Sequence, residues 1–421
     1  MNSISPLDNR YAHKIEDIRW LFSDYCWVEN KWIVEIEYLC YLLMMINEEP
    51  ESKMAPAYSI NVYTQICNEE KITNHDVQAL INVLKNKIPD EFKKWVHFGL
   101  TSQDINSPAM MLMYKKYITN FLLQDINNLF STIDNTIKQY EDMDILSFTH
   151  GQPATPIKVR NIFDVYVNKI HNIKQDLSQY KWSTKIGGSN GNLTSLSIVF
   201  PEINWNQAMN NFANILGLER NQHTTQVDDY SNYFKLFQII ERLCYILINI
   251  CQDIWYYCSK KYVLLKKIDG EVGSSAMPHK INPIQFENAE GNLKMAANIL
   301  HTIGTNIMTC RLQRDLTDST LLRNVGVAFG HLTLSLRNMI TGLERLTLNP
   351  EVIKADLHNN NCTKMETIQL LFRKWDIRDG YDLCKEYIRG KTNFQIGDFL
   401  AYLEQREIDL SPGQKDIIHR V

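Results

Sequence analysis

The sequence predicts an all-α protein built around a bundle of long helices. Apolar side chains recur at intervals of three, four or seven residues through 109–141, 157–181, 230–265 and 285–305, which is the periodicity of a helix with one buried face. The run at 230–265 contains neither glycine nor proline, and a helix of such length needs a partner to cover its apolar stripe. Alternating strand patterns are scarce, and the clearest extended candidate is "LTSLSIVF" at 193–200.

These elements predict three domains in chain order. Shorter helices at 1–106 form an N-terminal domain, the long helices at 107–345 form the central bundle, and a small helical domain occupies 346–421. The turn-forming segment "LTLNPEV" marks the second boundary at 346–352. A chain of 421 residues is long enough for two or three hydrophobic cores.

Composition limits the classes of function. The net charge of -4 and the isoelectric point near 6.3 give no overall basic field, so we expect neither nucleic-acid nor membrane binding. The most apolar run, 243–258, is interrupted by Asp253 and is too short to span a bilayer, and the opening residues are polar. We therefore predict a cytoplasmic protein.

The nine cysteines are an odd number and are scattered along the chain, which argues against a disulfide framework. Cys244, Cys251 and Cys258 recur every seven residues. This spacing would place metal ligands on one helix face, but it is also two helical turns of a core stripe, which is the commoner case. We predict no structural metal and no cofactor.

The segment "DGEVGSSAMPHKINPIQFENAEGN" at 269–292 conflicts with its helical surroundings, because its glycines and prolines oppose regular structure. It is predicted to be a loop. The loop carries the hydroxyl groups of Ser274 and Ser275 and the ammonium group of Lys280, and catalytic groups are often carried by loops on a rigid scaffold.

Four further polar segments interrupt the helices: "VHFGLTSQDINSP" at 96–108, "SFTHGQPATP" at 147–156, "TTQVDDY" at 224–230 and "LQRDLTDSTLLRN" at 312–324. Three of them have a structural alternative, since Ser102 or Asp104 is a good helix N-cap and a lone histidine such as His150 is usually structural. The charges around Arg314 could equally form a solvated turn. Together, however, the segments predict a composite site for an anion, with the cations Arg10, Lys280, Arg314 and Arg323 available to bind it.

Seven motifs occur in the order of a known family. The loop "GSSAMPHKINP" resembles the signature loop of the aspartase/fumarase superfamily. Together with "SPLDNRY", "TNHDV", "HFGLTSQDIN", "THGQPATP", "TTQVDDY" and "LQRDLTDSTLLRNVGVAFGH", it is similar to the adenylosuccinate lyase family, from residue 5 to about 400. This resemblance implies a three-domain helical fold that assembles as a homotetramer, with each active site shared by three subunits.

The resemblance also implies roles for individual residues. Ser274 corresponds to the general base on a mobile loop and His150 to the general acid. The positions that correspond to substrate-binding residues are Arg10, Tyr11, His75, Asp76, Thr101, Ser102, Gln226, Lys280, Asn282, Arg314, Ser319 and Arg323, and His97, Thr149 and Ser275 are expected to support them. The implied substrate is a succinylated purine nucleotide, from which fumarate is released without a cofactor.

Two departures from the family pattern are visible. "KIGGSNGNLTSL" at 185–196 lacks the family's usual alanine-valine pair and the following asparagine-alanine-histidine, so we expect substrate preference or loop packing to differ there. The final segment, "LSPGQKDIIHRV", is shorter than the family's usual C-terminal region, which suggests a trimmed third domain.

Two other functions remain open from the sequence. The same fold could release fumarate from another substrate such as argininosuccinate, although the candidate nucleotide cations weigh against it. The chain could also be a non-catalytic bundle protein, because fold alone does not fix function. The presence of both Ser274 and His150 opposes the second alternative.

Overall fold

The computed structural model describes residues 3–48, 55–270, 272–273 and 276–421. It is mainly α-helical, which confirms the predicted fold class. The predicted residues Ser274 and Ser275 lie outside the described residues. Of the helices in these ranges, none combines the length and apolar character that a transmembrane span requires.

The helices of the described ranges, in chain order, are α1 (Glu16–Leu21), α2 (Asp24–Met45), α3 (Ile60–Thr73), α4 (Asp76–Lys85), α5 (Ser102–Tyr117), α6 (Leu123–Ile137), α7 (Val159–Ser178), α8 (Thr194–Val199), α9 (Trp205–Ile215), α10 (Ser231–Ser259), α11 (Ile284–Ile307), α12 (Thr317–Leu322), α13 (Val325–Glu344), α14 (Pro350–Asn359), α15 (Met365–Lys374), α16 (Gly380–Ile388), α17 (Ile396–Gln405) and α18 (Pro412–Arg420). A π-helical turn, Ile118–Leu122, joins α5 to α6.

Three two-stranded pairings occur within the described residues: β1 (Asp144–Thr149) with β2 (Gln152–Lys158), β3 (Ser183–Thr184) with β4 (Glu219–Arg220), and β5 (Val263–Leu265) with β6 (Leu346–Leu348). The first and third pairings are antiparallel, and the second is parallel. Only the first pairing is a hairpin, since the second and third join strands that have helices between them in the chain.

The chain divides into two compact units, the first formed by 1–130, 169–251 and 285–341. In this first unit, α2 packs against α3 and α4 around Trp32 and Leu80, and against α5 and α9 around Tyr38 and Phe212. These side chains are almost completely buried, and burial of each stabilises the fold by about 1.5 to 3 kcal/mol. The apolar faces of these helices therefore pack into a core, which fixes the helices and positions the loops that connect them.

The second unit consists of 131–168, 252–284 and 342–421. The β1–β2 hairpin packs against α14 in this unit, and the hydroxyl of Tyr262 donates to Asp356 at 2.9 Å. Helices α15 to α18 enclose their own core around Phe372, Phe399 and Ile418.

Two expectations about individual elements are wrong. The segment at 193–200 is not extended, since α8 occupies Thr194–Val199. Leu193 and Leu196, three residues apart, are buried while Ile198 is 74% exposed, which is a helical pattern. The side chain of Asn192 accepts from the backbone N–H of Thr194 and begins the turn.

The region 147–156 is also not a simple loop between helices, because it forms most of the β1–β2 hairpin. Its two prolines, Pro153 and Pro156, lie in β2. Proline disfavours a central strand but is tolerated where a strand has a free edge, as both strands of a two-stranded pairing do.

Three boundaries also differ from the expected ones. The helix expected at 230–265 ends at Ser259, because Lys261 takes a left-handed conformation (φ 59°) and the N–H of Tyr262 bonds back to the Tyr257 carbonyl at 3.0 Å, as in a Schellman cap. The helix expected from 109 begins at Ser102, ahead of Pro108. The loop expected at 269–292 ends where α11 begins, at Ile284.

Candidate active site

His150 lies at the tip of the β1–β2 hairpin in the second unit. Thr149 pairs with Gln152, and the two residues between them, His150 and Gly151, both have positive φ, 52° and 71°. This is the requirement of a type I′ turn. A non-glycine residue in the left-handed region costs on the order of 1 kcal/mol and often marks a functional position.

The imidazole of His150 is exposed and forms no side-chain hydrogen bond within the described residues. Both ring nitrogens are therefore available to a ligand. Thr149, the last residue of β1, is exposed beside it.

The described part of the signature loop is closed on itself. The side-chain amide of Asn282 donates to the Gly273 carbonyl at 3.0 Å, and the N–H of Lys280 bonds to the Met277 carbonyl at 3.1 Å. A Cβ atom on Gly273 would lie 2.2 Å from the Lys280 carbonyl oxygen, so only glycine permits this approach. Asn282 thus fixes the residue immediately before Ser274, and Lys280 remains exposed.

In the first unit, the start of α5 meets the start of α4. His75 caps α4, and its Nδ1 accepts from the Gln78 N–H at 3.1 Å. With Nδ1 acting as an acceptor, the neutral ring carries its proton on Nε2, which lies 3.5 Å from the Ser102 hydroxyl. Two predicted substrate-binding residues, His75 and Ser102, are therefore neighbours.

Asp76 follows His75 and pairs with a buried lysine. Its Oδ2 lies 2.8 Å from Nζ of Lys31, which is 1% exposed. Burial is the largest single influence and would raise the pKa of Asp76, but the Lys31 ammonium and the Val77 N–H act together to hold that pKa below its ordinary value. Asp76 is therefore held as a carboxylate at neutral pH.

A cavity of about 230 Å³ opens beside this pair. Two predicted substrate-binding residues, Asp76 and Arg323, line it. Other residues that line it are Trp27, Lys31, Tyr63, Cys67, Glu70 and Tyr114.

The side chain of His97 is held by a buried carboxylate. Its Nδ1 lies 2.9 Å from Oε2 of Glu35, which is completely buried, and its backbone is left-handed, with φ 60°. Two residues later, a Cβ on Gly99 would lie 2.3 Å from the Leu196 side chain. These contacts hold the chain that leads into Thr101 and Ser102.

A buried ion pair connects α5 to the divergent loop at 185–196. Nζ of Lys185 lies 2.7 Å from Oδ1 of Asp104, and neither side chain is exposed. Asp104 also accepts from the N–H groups of Thr101 at 2.8 Å, Gly187 at 2.7 Å and Gly188 at 3.2 Å. Desolvation lowers the pKa of Lys185, and Asp104 opposes that shift.

Asp228, in the "TTQVDDY" segment, is a second buried carboxylate. It accepts from Asn221 at 2.6 Å and from Ser107 at 2.9 Å. Burial raises the pKa of Asp228 to about 6 although these hydrogen bonds lower it.

Gln226, from the same segment, joins two loops. Its side-chain amide donates to the Ser189 carbonyl at 2.9 Å, and its backbone N–H donates to the Gln313 carbonyl at 3.3 Å. The next residue along that chain, Arg314, donates to Asp318 at 3.0 and 3.1 Å.

Tyr11 lies near the start of α11. The side-chain amide of Asn288 donates to the Tyr11 hydroxyl at 3.1 Å, and the Arg10 guanidinium lies over the Tyr11 ring, 5.8 Å from its centre. Arg10 itself is exposed. Asn288, from the "QFENAEGN" segment, thus positions Tyr11, and the Tyr11 ring in turn contacts Arg10.

The described residues that were predicted for the active site are divided between the two compact units. The first unit holds Arg10, Tyr11, His75, Asp76, His97, Thr101, Ser102, Gln226, Arg314, Ser319 and Arg323, and the second unit holds Thr149, His150, Lys280 and Asn282. Sequence reasoning missed the partners that position them, which are the buried Lys31, Lys185 and Asp318 and the half-buried Asn288. A charged residue inside an otherwise small or apolar segment, such as Lys185 before two glycines, is the one signal that could have identified such a partner.

The described residues contain no group of three or more histidine, cysteine, aspartate or glutamate side chains arranged to hold a metal ion. None of the nine cysteines, all of which lie within the described residues, takes part in a disulfide bond.

Two family models match the chain. The model described as "Lyase" matches residues 53–299, and the model described as "Adenylosuccinate lyase C-terminal" matches residues 310–416. Among curated proteins, the chain is 35% identical to an adenylosuccinate lyase of Dictyostelium discoideum, over 97% of this chain and 93% of that protein. It is 33% identical to an adenylosuccinate lyase of Escherichia coli, over 93% and 89% of the two chains.

Solved structures share the fold at low sequence identity. A fumarate lyase from Mesorhizobium sp. BNC1 matches with a TM-score of 0.76 and 16% identity, over 96% of this chain and 92% of that one. A 3-carboxy-cis,cis-muconate lactonizing enzyme from Pseudomonas putida matches with a TM-score of 0.75 and 18% identity, over the same shares. At these identities the likeness establishes the fold and not the reaction.

Proposed function

Because the chain belongs to the adenylosuccinate lyase family of the aspartase/fumarase superfamily, we propose that it releases fumarate from adenylosuccinate to give AMP. We propose the same elimination for succinylaminoimidazole carboxamide ribotide, which gives the free carboxamide ribotide. The observation that carries the proposal is the 35% identity over nearly the whole chain, together with the match at 310–416 to a C-terminal region named for this enzyme.

The proposed chemistry is a β-elimination in three proton and bond movements. Ser274 removes a proton from the carbon next to a carboxylate of the succinyl group, and the electron pair is held as a carboxylate-stabilised carbanion. The C–N bond then breaks, the pair forms the double bond of fumarate, and His150 donates a proton to the departing nitrogen.

The hairpin supports the proposed acid. A two-residue turn allows little movement of His150, and its ring has no internal partner within the described residues. Its nitrogens are thus free to bond a departing nitrogen atom rather than a structural group. Catalysis by a positioned acid typically contributes a factor of about 10² to 10⁴ in rate.

The serine needs stabilisation of its alkoxide, because a free hydroxyl is a poor base at neutral pH. Lys280 and Asn282 lie on the same loop, and we propose that they bind the substrate carboxylate when the loop closes. Exclusion of water would then strengthen the attraction between the alkoxide and nearby cations. In the structure, Asn282 bonds Gly273, so closure onto substrate would exchange this bond for one to the carboxylate.

The first unit supplies the groups proposed for the nucleotide. Arg10, Arg314 and Arg323 are candidates for the phosphate, with Ser319 beside Arg314, and guanidinium groups suit phosphate geometry. Thr101, Ser102 and His75, which lie together at the starts of α5 and α4, are candidates for the succinyl carboxylates.

The proposed assembly is a homotetramer in which three subunits build each active site. Tyr245, Trp255 and Tyr256 on α10 are 54%, 44% and 61% exposed, and burial against other copies would remove these rings from water. We propose the cytosol as its location, where cysteines that form no disulfide, such as those of this chain, are kept reduced.

The direct test is a substrate comparison with purified protein. Adenylosuccinate and argininosuccinate are offered separately, and fumarate and the second product are identified in each case. Formation of fumarate and AMP from adenylosuccinate alone supports the proposal. Turnover of argininosuccinate instead would assign the other substrate, and turnover of neither would favour a non-catalytic role.

Shared active sites are tested by mixing variants. Ser274→Ala and His150→Ala, each inactive alone, should regain part of the activity after subunit exchange, because some sites receive both intact residues. Exchange demonstrated by differently tagged subunits, without any recovery of activity, would contradict the shared site.

A further inference from the structure

The carboxylate of Asp318 lies within hydrogen-bonding distance of donors from three polar segments of the first unit, 96–108, 224–230 and 312–324. Asp318 is only 7% exposed. Its oxygens accept from Nη1 of Arg314 at 3.0 and 3.1 Å, from the Tyr230 hydroxyl at 2.5 Å and from the Ser319 N–H at 2.7 Å. The side-chain amide of Gln103, on α5, lies 3.5 Å away.

The geometry of the Arg314 contact leaves most of the guanidinium available. Both contacts to Asp318 involve the same nitrogen, Nη1. Within the described residues, Nη2 and Nε of Arg314 have no hydrogen-bond partner, and the side chain is 23% exposed. Asp318 therefore fixes one corner of the guanidinium while the opposite edge keeps donors for another anion.

Asp318 also ties this arginine to the neighbouring segment. Tyr230 ends "TTQVDDY" and donates to Asp318, and Gln226 of the same segment bonds the carbonyl of Gln313, the residue before Arg314. The segment is thus fixed at two points to the chain that carries Arg314. Such a connected network can be stiffer than its separate hydrogen bonds.

We propose that Asp318 is a positioning residue that presents the open edge of Arg314 to the phosphate of the nucleotide substrate. Asp318 itself does not touch the substrate. This inference rests on the proposed function for the identity of the anion, and it adds a residue that the family resemblance did not assign. Arginine has many rotamers, and a guanidinium held in place before binding loses less freedom when the phosphate arrives.

The test compares ligands with and without a phosphate. Asp318→Asn has the same shape and can still accept from Tyr230, but its amide group opposes the donors of Arg314. Dissociation constants for AMP and for adenosine are measured by titration calorimetry on the full-length protein. We expect AMP to bind about 10- to 100-fold more weakly, adenosine to change less than about 2-fold, and KM for adenylosuccinate to rise more than kcat falls.

Tyr230→Phe is the matched control, because it removes one donor and leaves the Asp318–Arg314 pair intact. It should keep the wild-type preference for AMP over adenosine. Equal weakening of both ligands by Asp318→Asn, or no weakening of AMP, would overturn the inference. If Asp318→Asn does not fold, Asp318→Glu replaces it, because this variant keeps the charge but displaces the guanidinium. Asp318→Glu should lose part of the preference for AMP over adenosine. An unchanged preference in Asp318→Glu would also overturn the inference.

The outcomes separate this inference from the proposed function. Wild-type turnover of adenylosuccinate combined with an unchanged AMP preference in the variant rejects only the role of Asp318. Absence of wild-type turnover rejects the proposed reaction, while a selective loss of AMP binding in the same protein would still support the role of Asp318 in presenting Arg314 to a phosphate.

Discussion

Replacement of Lys185 by methionine tests how the first unit holds the divergent loop. Lys185 and Asp104 form an ion pair at 2.7 Å with both side chains completely buried. Removal of one partner from a buried pair typically costs about 3 to 5 kcal/mol, because the other charge remains uncompensated. Asp104 would keep three backbone N–H donors, so we expect the lower end, about 3 kcal/mol.

The measurement is the free energy of unfolding in urea, followed by circular dichroism, together with the melting temperature. For the wild type against Lys185→Met we expect the loss of about 3 kcal/mol to appear as a fall in Tm of roughly 3 to 5 °C. Lys181→Met is the matched control, because Lys181 is 77% exposed and lies 3.9 Å from Glu219; it should change stability by less than about 0.5 kcal/mol.

The double variant Asp104→Asn/Lys185→Met sharpens the same test. If the two residues act as a pair, its cost should be smaller than the sum of the single costs by 1 kcal/mol or more. A Lys185→Met protein as stable as the Lys181→Met control would refute the reasoning, since a buried carboxylate would then tolerate the loss of its counterion.

Three further outcomes follow from the structure. Burial raises the pKa of Asp228 to about 6, so the folded state favours the neutral carboxyl and loses stability as the pH rises and the group ionises. The free energy of unfolding of the wild type should therefore fall by about 1 kcal/mol relative to that of Asp228→Asn between pH 5 and pH 8. Urea midpoints of the two proteins that differ by the same amount at both pH values would contradict this. Gly191→Ala should lower Tm and activity, because Gly191 has φ 86° and a Cβ atom there would lie 2.0 Å from the Thr224 carbonyl oxygen. Gly397→Ala, in α17 with nothing within 4 Å of the added atom, should raise Tm slightly, and an equal response of the two glycine variants would refute the role of the close approach. His150→Ala should lower kcat at least 100-fold with little change in Tm, because the exposed ring stabilises nothing else; a large fall in Tm would indicate a structural role.

Much of the fold follows from the sequence because helical periodicity is a local signal. The long helix α10 and the start of α11 lie close to the predicted positions for this reason. The β1–β2 hairpin was missed because Pro153 and Pro156 argue against a strand, and only the tertiary structure shows that its edge is free. The end of α10 was misjudged because a lysine, Lys261, takes the left-handed cap position that glycine usually marks.

The family was predictable, and the matches to adenylosuccinate lyases confirm it. The expected N-cap of α5, Ser102 or Asp104, is wrong, because Thr101 occupies that position. Asp104 lies three residues later and completes a capping box by accepting from the Thr101 N–H. What the sequence could not supply is the pairing of distant residues. Lys185 meets Asp104 across 81 positions and Lys31 meets Asp76 across 45, and no local pattern specifies which buried charge meets which.

Fumarate release by the wild type and by Ser274→Ala tests the central claim most directly. Purified proteins are incubated with adenylosuccinate, and fumarate is quantified by an independent enzymatic assay while Tm verifies that both are folded. We expect steady fumarate production by the wild type and at least a 100-fold lower rate for Ser274→Ala. Equal rates in the two proteins would contradict the assignment of the loop serine as the base, and no fumarate from a folded wild type would contradict the proposed reaction itself.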